Sequence, residues 1–236
     1  MGVKLRSAPI FRMLAVSLVV AWSIFIISEN IQGSPLLLAI LVHVPQFVIP
    51  FAIILYMTHG NPRSYGFNLE EDPPEFSHRR MFFIGLVSGL VMSIQYLVQI
   101  AKGLALDIPQ PVTPVDVLGH MVFQWIIVGL SEETMFRGLI QTYLMENLDG
   151  YVDVAGHGVH VGTVAAALFW GGFHFINVLN MPFSSAVLTV LITTPIGLLL
   201  GYAYQRTGSL LTTILVHNTL FGVPLTIGYV LYFMGF

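Results

Sequence analysis

The sequence contains no cysteine and little charge. Of its 236 residues, only 9% are Asp, Glu, Lys or Arg, whereas 56% are hydrophobic. A soluble domain carries about 25% charged residues, so this chain has too few charges to cover a surface exposed to water. The absence of cysteine excludes disulfides, thiolate metal sites and a cysteine nucleophile. The composition therefore predicts an integral membrane protein whose main partner is the lipid bilayer.

Basic residues are also scarce and scattered. The nine Lys and Arg residues are outnumbered by twelve Asp and Glu residues, which gives a net charge of −3. A surface that binds nucleic acid needs a concentrated basic patch, and no such stripe occurs in the sequence. Nucleic acid is therefore not an expected partner.

Long apolar runs predict an all-α, polytopic bundle of transmembrane helices. About 20 apolar residues cross a bilayer as a helix. Seven such runs occur in the sequence: residues 11–29, 36–58, 81–102, 117–146, 162–179, 185–205 and 210–233. The fourth run is long for one crossing, and a break in it would give an eighth element. The one polar stretch, residues 59–80, is too short for a second domain, so residues 1–236 are expected to form a single transmembrane domain.

The basic residues predict the orientation of these spans. Loops on the cytoplasmic side are enriched in Lys and Arg. Seven basic residues fall on one side of a seven-span arrangement: Lys4, Arg6, Arg12, Arg63, Arg79, Arg80 and Arg206. Lys102 falls on the opposite side. We therefore expect a cytoplasmic N-terminus, and an uncleaved first span because no small-x-small cleavage site follows it. In a prokaryote the membrane would be the cell membrane.

The fourth span contains charges that a helix facing lipid rarely carries. A charged side chain at the bilayer centre costs roughly 2.5–3.5 kcal/mol. The span nevertheless contains Glu132, Glu133 and Arg137. Glu133 and Arg137 are four residues apart, which is the spacing of an ion pair on one helix face. Glu132 points about 100° away and has no partner at helical spacing. Glu132 is therefore the carboxylate available for chemistry.

The fifth and seventh spans each contain a histidine. His174 shares a helix face with Asn177, and His217 is followed by Asn218. At a rise of 1.5 Å per residue, the predicted depths of Glu132, His174 and His217 are roughly 21, 18 and 10 Å from the cytoplasmic helix ends. These depths predict that the three side chains converge. A structural hydrogen bond between helices is the alternative for each histidine.

A carboxylate beside an imidazole can activate water. One group removes a proton from water while another donates to the developing oxyanion. Two histidines and a glutamate are also a known zinc set, so Zn²⁺ or another divalent metal held by Glu132, His174 and His217 remains an alternative. The sequence contains no H-E-x-x-H and no G-x-S-x-G motif, which removes support for zincin and serine mechanisms.

The pattern Glu132-Glu133-x-x-x-Arg137, with a histidine in the next span and another in a late span, resembles the CAAX-processing and bacteriocin-processing (CPBP, or Abi) intramembrane endopeptidases. The resemblance covers a motif-bearing peptidase core at about residues 117–225. It implies an all-helical core that opens to the cytoplasm and cleaves membrane-associated proteins or peptides. In eukaryotic relatives the substrate is a prenylated CAAX protein that loses its last three residues.

The resemblance also implies roles for individual residues. Glu132 with His174 would activate the water. Glu133 and Arg137 would shape the site. His217 would bind the oxyanion or a metal, although metal use in this family is contested.

Two positions depart from the family pattern. Trp170 stands where Phe is usual, which is a conservative change. Phe221 stands where the family has Asn four residues after the last histidine, so the oxyanion donor would be Asn177 or Asn218.

Three functions stay open: the peptidase, a catalytically impaired membrane binding or immunity protein of the same fold, and a proton-coupled transporter with buried ionisable groups. The sequence shows no repeated half, which argues against the transporter.

Overall fold

The computed structural model describes residues 7–71, 73–110, 112–179 and 181–236. Within these residues, seven helices are long and apolar enough to cross a membrane. They are α1 (Ser7–Asn30), α2 (Pro35–Met57), α3 (His78–Ala101), α4 (Pro114–Asn147), α5 (Val161–Leu179), α6 (Phe183–Thr207) and α7 (Leu210–Phe233). The predicted all-α bundle is confirmed, with helix ends within a few residues of those expected. The 34-residue α4 stays one element.

Local sequence explains where several helices begin and end. The Thr113 hydroxyl accepts a hydrogen bond from the Asp116 N–H at 3.3 Å and so caps the start of α4. Pro114 follows at the first helical position, where no backbone N–H is needed. Gly208 ends α6 in the left-handed region, at φ +63°, which glycine adopts without steric cost.

Helix α4 is irregular on both sides of its charged residues. Residues Phe123–Ile127 and Thr134–Gln141 wind as π-helix and flank the α-helical segment Val128–Glu133. Such turns are frequent at functional sites. They change the rotation of α4 about its axis, and therefore the directions in which the two glutamates point.

Asn218 of α7 inserts its side chain beside the first π-helical stretch. The Gly129 N–H donates to Asn218 Oδ1 at 2.9 Å, and Asn218 Nδ2 donates to the Trp125 carbonyl at 2.9 Å. In a regular α-helix the N–H of residue 129 would pair with the carbonyl of residue 125. The amide of Asn218 therefore bridges two backbone groups of α4 and ties α7 to it.

Glycines allow close approach between helices. A Cβ on Gly89 of α3 would lie 2.8 Å from the Thr219 carbonyl oxygen of α7. A Cβ on Gly197 of α6 would lie 2.6 Å from Trp170 Cε3 of α5. Gly89 and Gly197 belong to the patterns Gly85-x-x-x-Gly89 and Gly197-x-x-x-Gly201, which thus mark tightly packed helix pairs.

The start of α1 and the loops with basic residues lie at one end of the bundle. Arg12 Nη1 donates to the Tyr143 hydroxyl at 2.8 Å, which places the start of α1 beside the end of α4. Asn68 Nδ2 donates to the Gly208 carbonyl at 2.8 Å, which joins the α2–α3 loop to the α6–α7 turn. Lys4 and Arg6 lie outside the described residues. A short antiparallel hairpin, β1 (Tyr151–Val154) and β2 (His157–His160), connects α4 to α5 and was not expected from the sequence pattern.

Candidate active site

Glu132 lies near the middle of α4 and is only 9% exposed. Its two carboxylate oxygens have different surroundings. Oε2 accepts a hydrogen bond from Trp170 Nε1 of α5 at 2.7 Å and lies 3.9 Å from His217 Nε2 of α7. Oε1 lies 3.8 Å from His43 Nε2 of α2. Side chains from three other helices therefore surround this carboxylate, which sequence spacing left without a partner.

Glu133 and Arg137 form the ion pair that their spacing predicts. Arg137 Nη1 donates to Glu133 Oε1 at 3.1 Å, and Arg137 Nη2 donates to the Gly197 carbonyl at 3.1 Å. The guanidinium carbon also lies 4.7 Å from the Trp170 ring centroid, a cation–π contact. Glu133 and Arg137 are 0% and 1% exposed. A fully buried pair with these additional contacts fixes the positions of its neighbours.

His217 connects the two glutamates. Its Nδ1 lies 2.8 Å from Glu133 Oε1, and its Nε2 faces Glu132. Because an ionised carboxylate only accepts hydrogen bonds, Nδ1 carries the hydrogen. The ring is 2% exposed and packs against Phe221, with ring centroids 5.2 Å apart. His217 thus backs Glu132 from inside the bundle.

An open cavity of about 510 Å³ leads to Glu132 from between α1, α2 and α5. Polar groups from all three helices line it: Ser28 and Glu29 on α1, His43 and Gln46 on α2, and His174 and Asn177 on α5. Most of the other lining side chains are apolar. Glu132, His43 and His174 therefore line one cavity.

His174 starts the last, 3₁₀-helical turn of α5. Its Nδ1 lies 2.8 Å from the Trp170 carbonyl oxygen. A carbonyl oxygen only accepts, so Nδ1 carries the hydrogen and Nε2 is an acceptor in the neutral ring. Asn177 lies on the same cavity wall. The structure therefore brings Glu132, His174 and Asn177 to one cavity, with His217 behind.

His43 is the residue that sequence reasoning missed. No acidic residue stands near it at helical spacing along α2, so the sequence gives no local signal. Its ring packs edge-on against Phe123, with centroids 4.9 Å apart. The available signal was the depth of a histidine within an apolar span, which requires a polar partner from another helix.

The amide of Asn218, one of the two expected oxyanion donors, is bonded to the backbone of α4. Both ends of its amide are bonded to the backbone of α4, at Gly129 and Trp125. Its neighbour His217 reaches Glu133 instead, because adjacent residues of a helix point about 100° apart. Of the two expected asparagines, Asn177 is the one that lines the cavity.

The expected metal ligands are not arranged as a metal site. Within residues 7–71, 73–110, 112–179 and 181–236, no three His, Asp or Glu side chains converge closely enough to hold an ion. One oxygen of Glu132 already accepts the Trp170 N–H. The set of Glu132, His174 and His217 therefore does not fit Zn²⁺ or another divalent metal in this arrangement.

Comparison with known proteins identifies the same part of the chain. Residues 114–220 match the family described as type II CAAX prenyl endopeptidase Rce1-like. The protein YpbD of Bacillus subtilis (strain 168) is 28% identical over 98 residues, which cover 42% of this chain and 40% of YpbD. No solved structure matches the chain. The segment that contains Glu132, His174 and His217 is therefore similar to the Rce1-like type II CAAX prenyl endopeptidases.

Proposed function

We propose that this protein is an intramembrane endopeptidase that hydrolyses peptide bonds of membrane-associated substrates. The observation that carries this proposal is the position of Glu132. Its carboxylate faces an open cavity inside a transmembrane bundle and has imidazole groups around it. The protease family matched by residues 114–220 supports the same reaction class. We propose a motif-bearing core at residues 117–225.

Glu132 acts as the general base in this proposal. Oε2 accepts the Trp170 N–H, so Oε1 is the oxygen that removes a proton from water. The water oxygen bonds to the scissile carbonyl carbon, and the carbonyl π electrons move to its oxygen. When the C–N bond breaks, the proton held by Glu132 passes to the leaving amine. His174, which lines the same cavity, cooperates in moving this proton.

The oxyanion needs a hydrogen-bond donor, because its charge develops away from bulk water. The amide of Asn177 lines the cavity and is the proposed donor. His217 supports the reaction from behind Glu132. Glu133 and Arg137 hold the His217 ring in position through the Glu133 carboxylate.

The proposed substrates are proteins or peptides with a lipid-soluble anchor, including prenylated CAAX-type chains. A second, almost entirely apolar cavity of about 850 Å³ lies between α1 and α5. Phe173 and Ile176 line both cavities, so the apolar space is continuous with the wall of the active-site cavity. An apolar chain bound there would bring an attached peptide toward Glu132.

One observation favours a second candidate, a catalytically impaired membrane binding protein of the same fold. Phe221 packs against the His217 ring, at the position where the family pattern has Asn. A phenyl ring donates no hydrogen bond, so this side of the site is less polar than expected. The two candidates differ in one respect, which is whether Glu132 supports turnover.

The test uses the purified full chain in liposomes with a farnesylated CAAX peptide carrying a fluorophore and a quencher. We expect the wild type to cleave the peptide, and mass spectrometry of the products identifies the bond that is cut. The cleavage rate should fall about 10²- to 10⁴-fold in Glu132→Gln. Glu70→Gln, at an exposed carboxylate of the α2–α3 loop, is the matched control and should retain full activity. Equal rates for Glu132→Gln and wild type would reject the mechanism, and no cleavage by the wild type would favour the impaired protein.

We also propose that the N-terminus is cytoplasmic. Arg12, the α2–α3 loop and the α6–α7 turn lie at one end of the bundle, which supports a single basic face. Because the chain has no cysteine, single cysteines placed at Glu70 or Leu104 can be labelled with an impermeant maleimide. In intact cells we expect the maleimide to label Leu104→Cys and not Glu70→Cys. Labelling of Glu70→Cys would instead show that the N-terminus lies outside.

A further inference from the structure

We propose that His43 is a catalytic residue, whose Nε2 and Glu132 Oε1 hold the attacking water between them. This inference rests on the proposed peptidase function and adds a residue to it. His43 belongs to α2, outside the residues 114–220 that match the protease family. The motif-bearing core therefore does not contain the whole site.

The distances support a shared water. The Glu132 oxygen that faces His43 is Oε1, and Trp170 donates to the other oxygen. Nε2 and Oε1 are 3.8 Å apart. A water at the usual hydrogen-bond distance of about 2.8 Å from each fits this separation and can donate one hydrogen to each acceptor. A free electron pair of the water oxygen then points away from both acceptors.

The imidazoles near Glu132 differ in their access to the cavity. Among the described histidines, His43 and His217 are the two with a ring nitrogen within 4.0 Å of a Glu132 oxygen. The side chain of His217 is 2% exposed, whereas that of His43 is 16% exposed and lines the cavity. His43 is therefore the near imidazole that a substrate can reach.

The hydrogen bonds of His43 fix its chemical role. Nδ1 lies 2.8 Å from the Ala39 carbonyl oxygen, which only accepts, so Nδ1 carries the hydrogen. Nε2 of the neutral ring is then an acceptor. The edge-on contact with Phe123 holds the ring plane. The acceptor is thus oriented before any substrate binds.

In the proposed step, Glu132 takes one proton from the water and His43 keeps the other hydrogen on the water oxygen. The water oxygen forms a bond to the carbonyl carbon, and the carbonyl π electrons move to the oxyanion. The hydrogen bonded to Glu132 Oε1 transfers to that carboxylate. The hydrogen bonded to His43 Nε2 stays on the water oxygen and becomes the hydroxyl of the tetrahedral intermediate. His43 therefore sets the direction of the attacking electron pair and takes no net proton.

Two substitutions at His43 separate this role from a structural one. In His43→Asn the side-chain amide can still donate to the Ala39 carbonyl, but the acceptor at the Nε2 position is lost. In His43→Gln the longer side chain places an amide oxygen near that position. We expect kcat to fall about 100-fold in His43→Asn and by less in His43→Gln, with KM unchanged in both.

Chemical rescue gives an independent readout. Imidazole added to His43→Ala in liposomes should restore cleavage of the farnesylated peptide in proportion to its concentration, and should not restore Glu132→Gln. His120→Gln is the control, because His120 is also buried but bonds Tyr229, at 2.8 Å, rather than Glu132. It should retain the wild-type kcat.

The outcomes distinguish the two proposals. A normal kcat in His43→Asn, or equal losses in the Asn, Gln and Ala variants without rescue by imidazole, would overturn the role of His43. If His43 proves dispensable but Glu132→Gln is inactive in the same assay, the peptidase proposal still stands. A wild type without Glu132-dependent cleavage would overturn both.

Discussion

Trp170 Nε1 donates to Glu132 Oε2 at 2.7 Å, and the same indole ring lies over the guanidinium of Arg137. One side chain of α5 therefore contacts both the carboxylate of the site and the buried ion pair beside it. The hydrogen bond leaves Oε1 as the oxygen that faces the cavity. The Phe that is usual at this position in the family pattern has no N–H to make this bond.

Trp170→Phe should reduce activity without loss of the fold. The phenyl ring keeps an aromatic face for Arg137, but Oε2 of a buried carboxylate loses its donor, at a cost of about 1–3 kcal/mol. We expect kcat on the farnesylated peptide to fall about tenfold or more. Trp22→Phe, at an exposed position of α1, is the control and should not change kcat. Equal kcat values for Trp170→Phe and Trp22→Phe would show that the indole N–H of Trp170 does not contribute to activity.

The buried ion pair should show strong coupling in a double-mutant cycle. Arg137→Met leaves the carboxylate of Glu133 buried without its cation, which costs about 3–5 kcal/mol. Adding Glu133→Gln removes that charge, so the double variant should be more stable than Arg137→Met alone. The measurement is the free energy of unfolding in detergent micelles.

An exposed ion pair provides the control for this cycle. Arg63 and Glu70 lie 3.3 Å apart on the surface of the α2–α3 loop. Their coupling energy should lie within about 1 kcal/mol, because water screens the pair. Similar coupling energies for the two pairs would contradict the assignment of Glu133 and Arg137 as an organising element of the site.

Asn218→Ala should destabilise α4 locally. The substitution leaves the Gly129 N–H and the Trp125 carbonyl without their side-chain partner, at about 1–3 kcal/mol for each group that stays unsatisfied. Hydrogen exchange at the Gly129 amide should become faster. Asn30→Ala is the control, because the Asn30 amide is exposed and bonds only the Ile26 carbonyl of its own helix. Unchanged exchange at Gly129 would show that the bridge does not hold α4.

His160 should make stability depend on pH. Its Nδ1 accepts the Gly162 N–H at 3.0 Å at the start of α5, and burial lowers the pKa of His160 below its ordinary value. The unfolded chain, with an ordinary histidine pKa of about 6.5, then binds a proton at a higher pH than the folded chain. The stability is therefore fully present above about pH 6.5 and is lost as the pH falls toward the folded pKa.

The measurement for His160 is the unfolding free energy at pH 7.5 and 5.5 in the wild type and in His160→Gln. The loss on acidification should be smaller in the variant, because glutamine does not titrate. His59→Gln, in an exposed loop, should keep the wild-type dependence. A variant at position 160 with an unchanged pH dependence would assign the effect to other groups.

The helices were predictable from sequence because the bilayer fixes their length and composition. The pair of Glu133 and Arg137 was predictable because both residues lie on one helix at a fixed spacing. The contacts of Glu132 with Trp170 and His43 were not, because they depend on the tilt and rotation of three helices. The two π-helical stretches of α4 add to this difficulty, since they rotate one part of the helix against the other.

The expected convergence of Glu132, His174 and His217 illustrates the same limit. Depth along the helix axis placed Glu132 and His174 at comparable levels and His217 within reach, but it did not determine which side chain would face the cavity and which would lie behind Glu132. It also gave no reason to include a histidine of α2. The role of each residue in catalysis stays a prediction that the assays above test.

The consecutive residues His217 and Asn218 attach α7 to α4 at Glu133 and Gly129, one helical turn apart. Two attachment points prevent α4 from rolling against α7, so these two helices should behave as a fixed wall. Of the three helices that line the route to the carboxylate, α2 and α5 also contact Glu132 through His43 and Trp170, so α1 is the one whose movement would leave these contacts intact. A lipid-anchored chain arriving sideways from the bilayer would displace α1 and leave the backing of Glu132 unmoved.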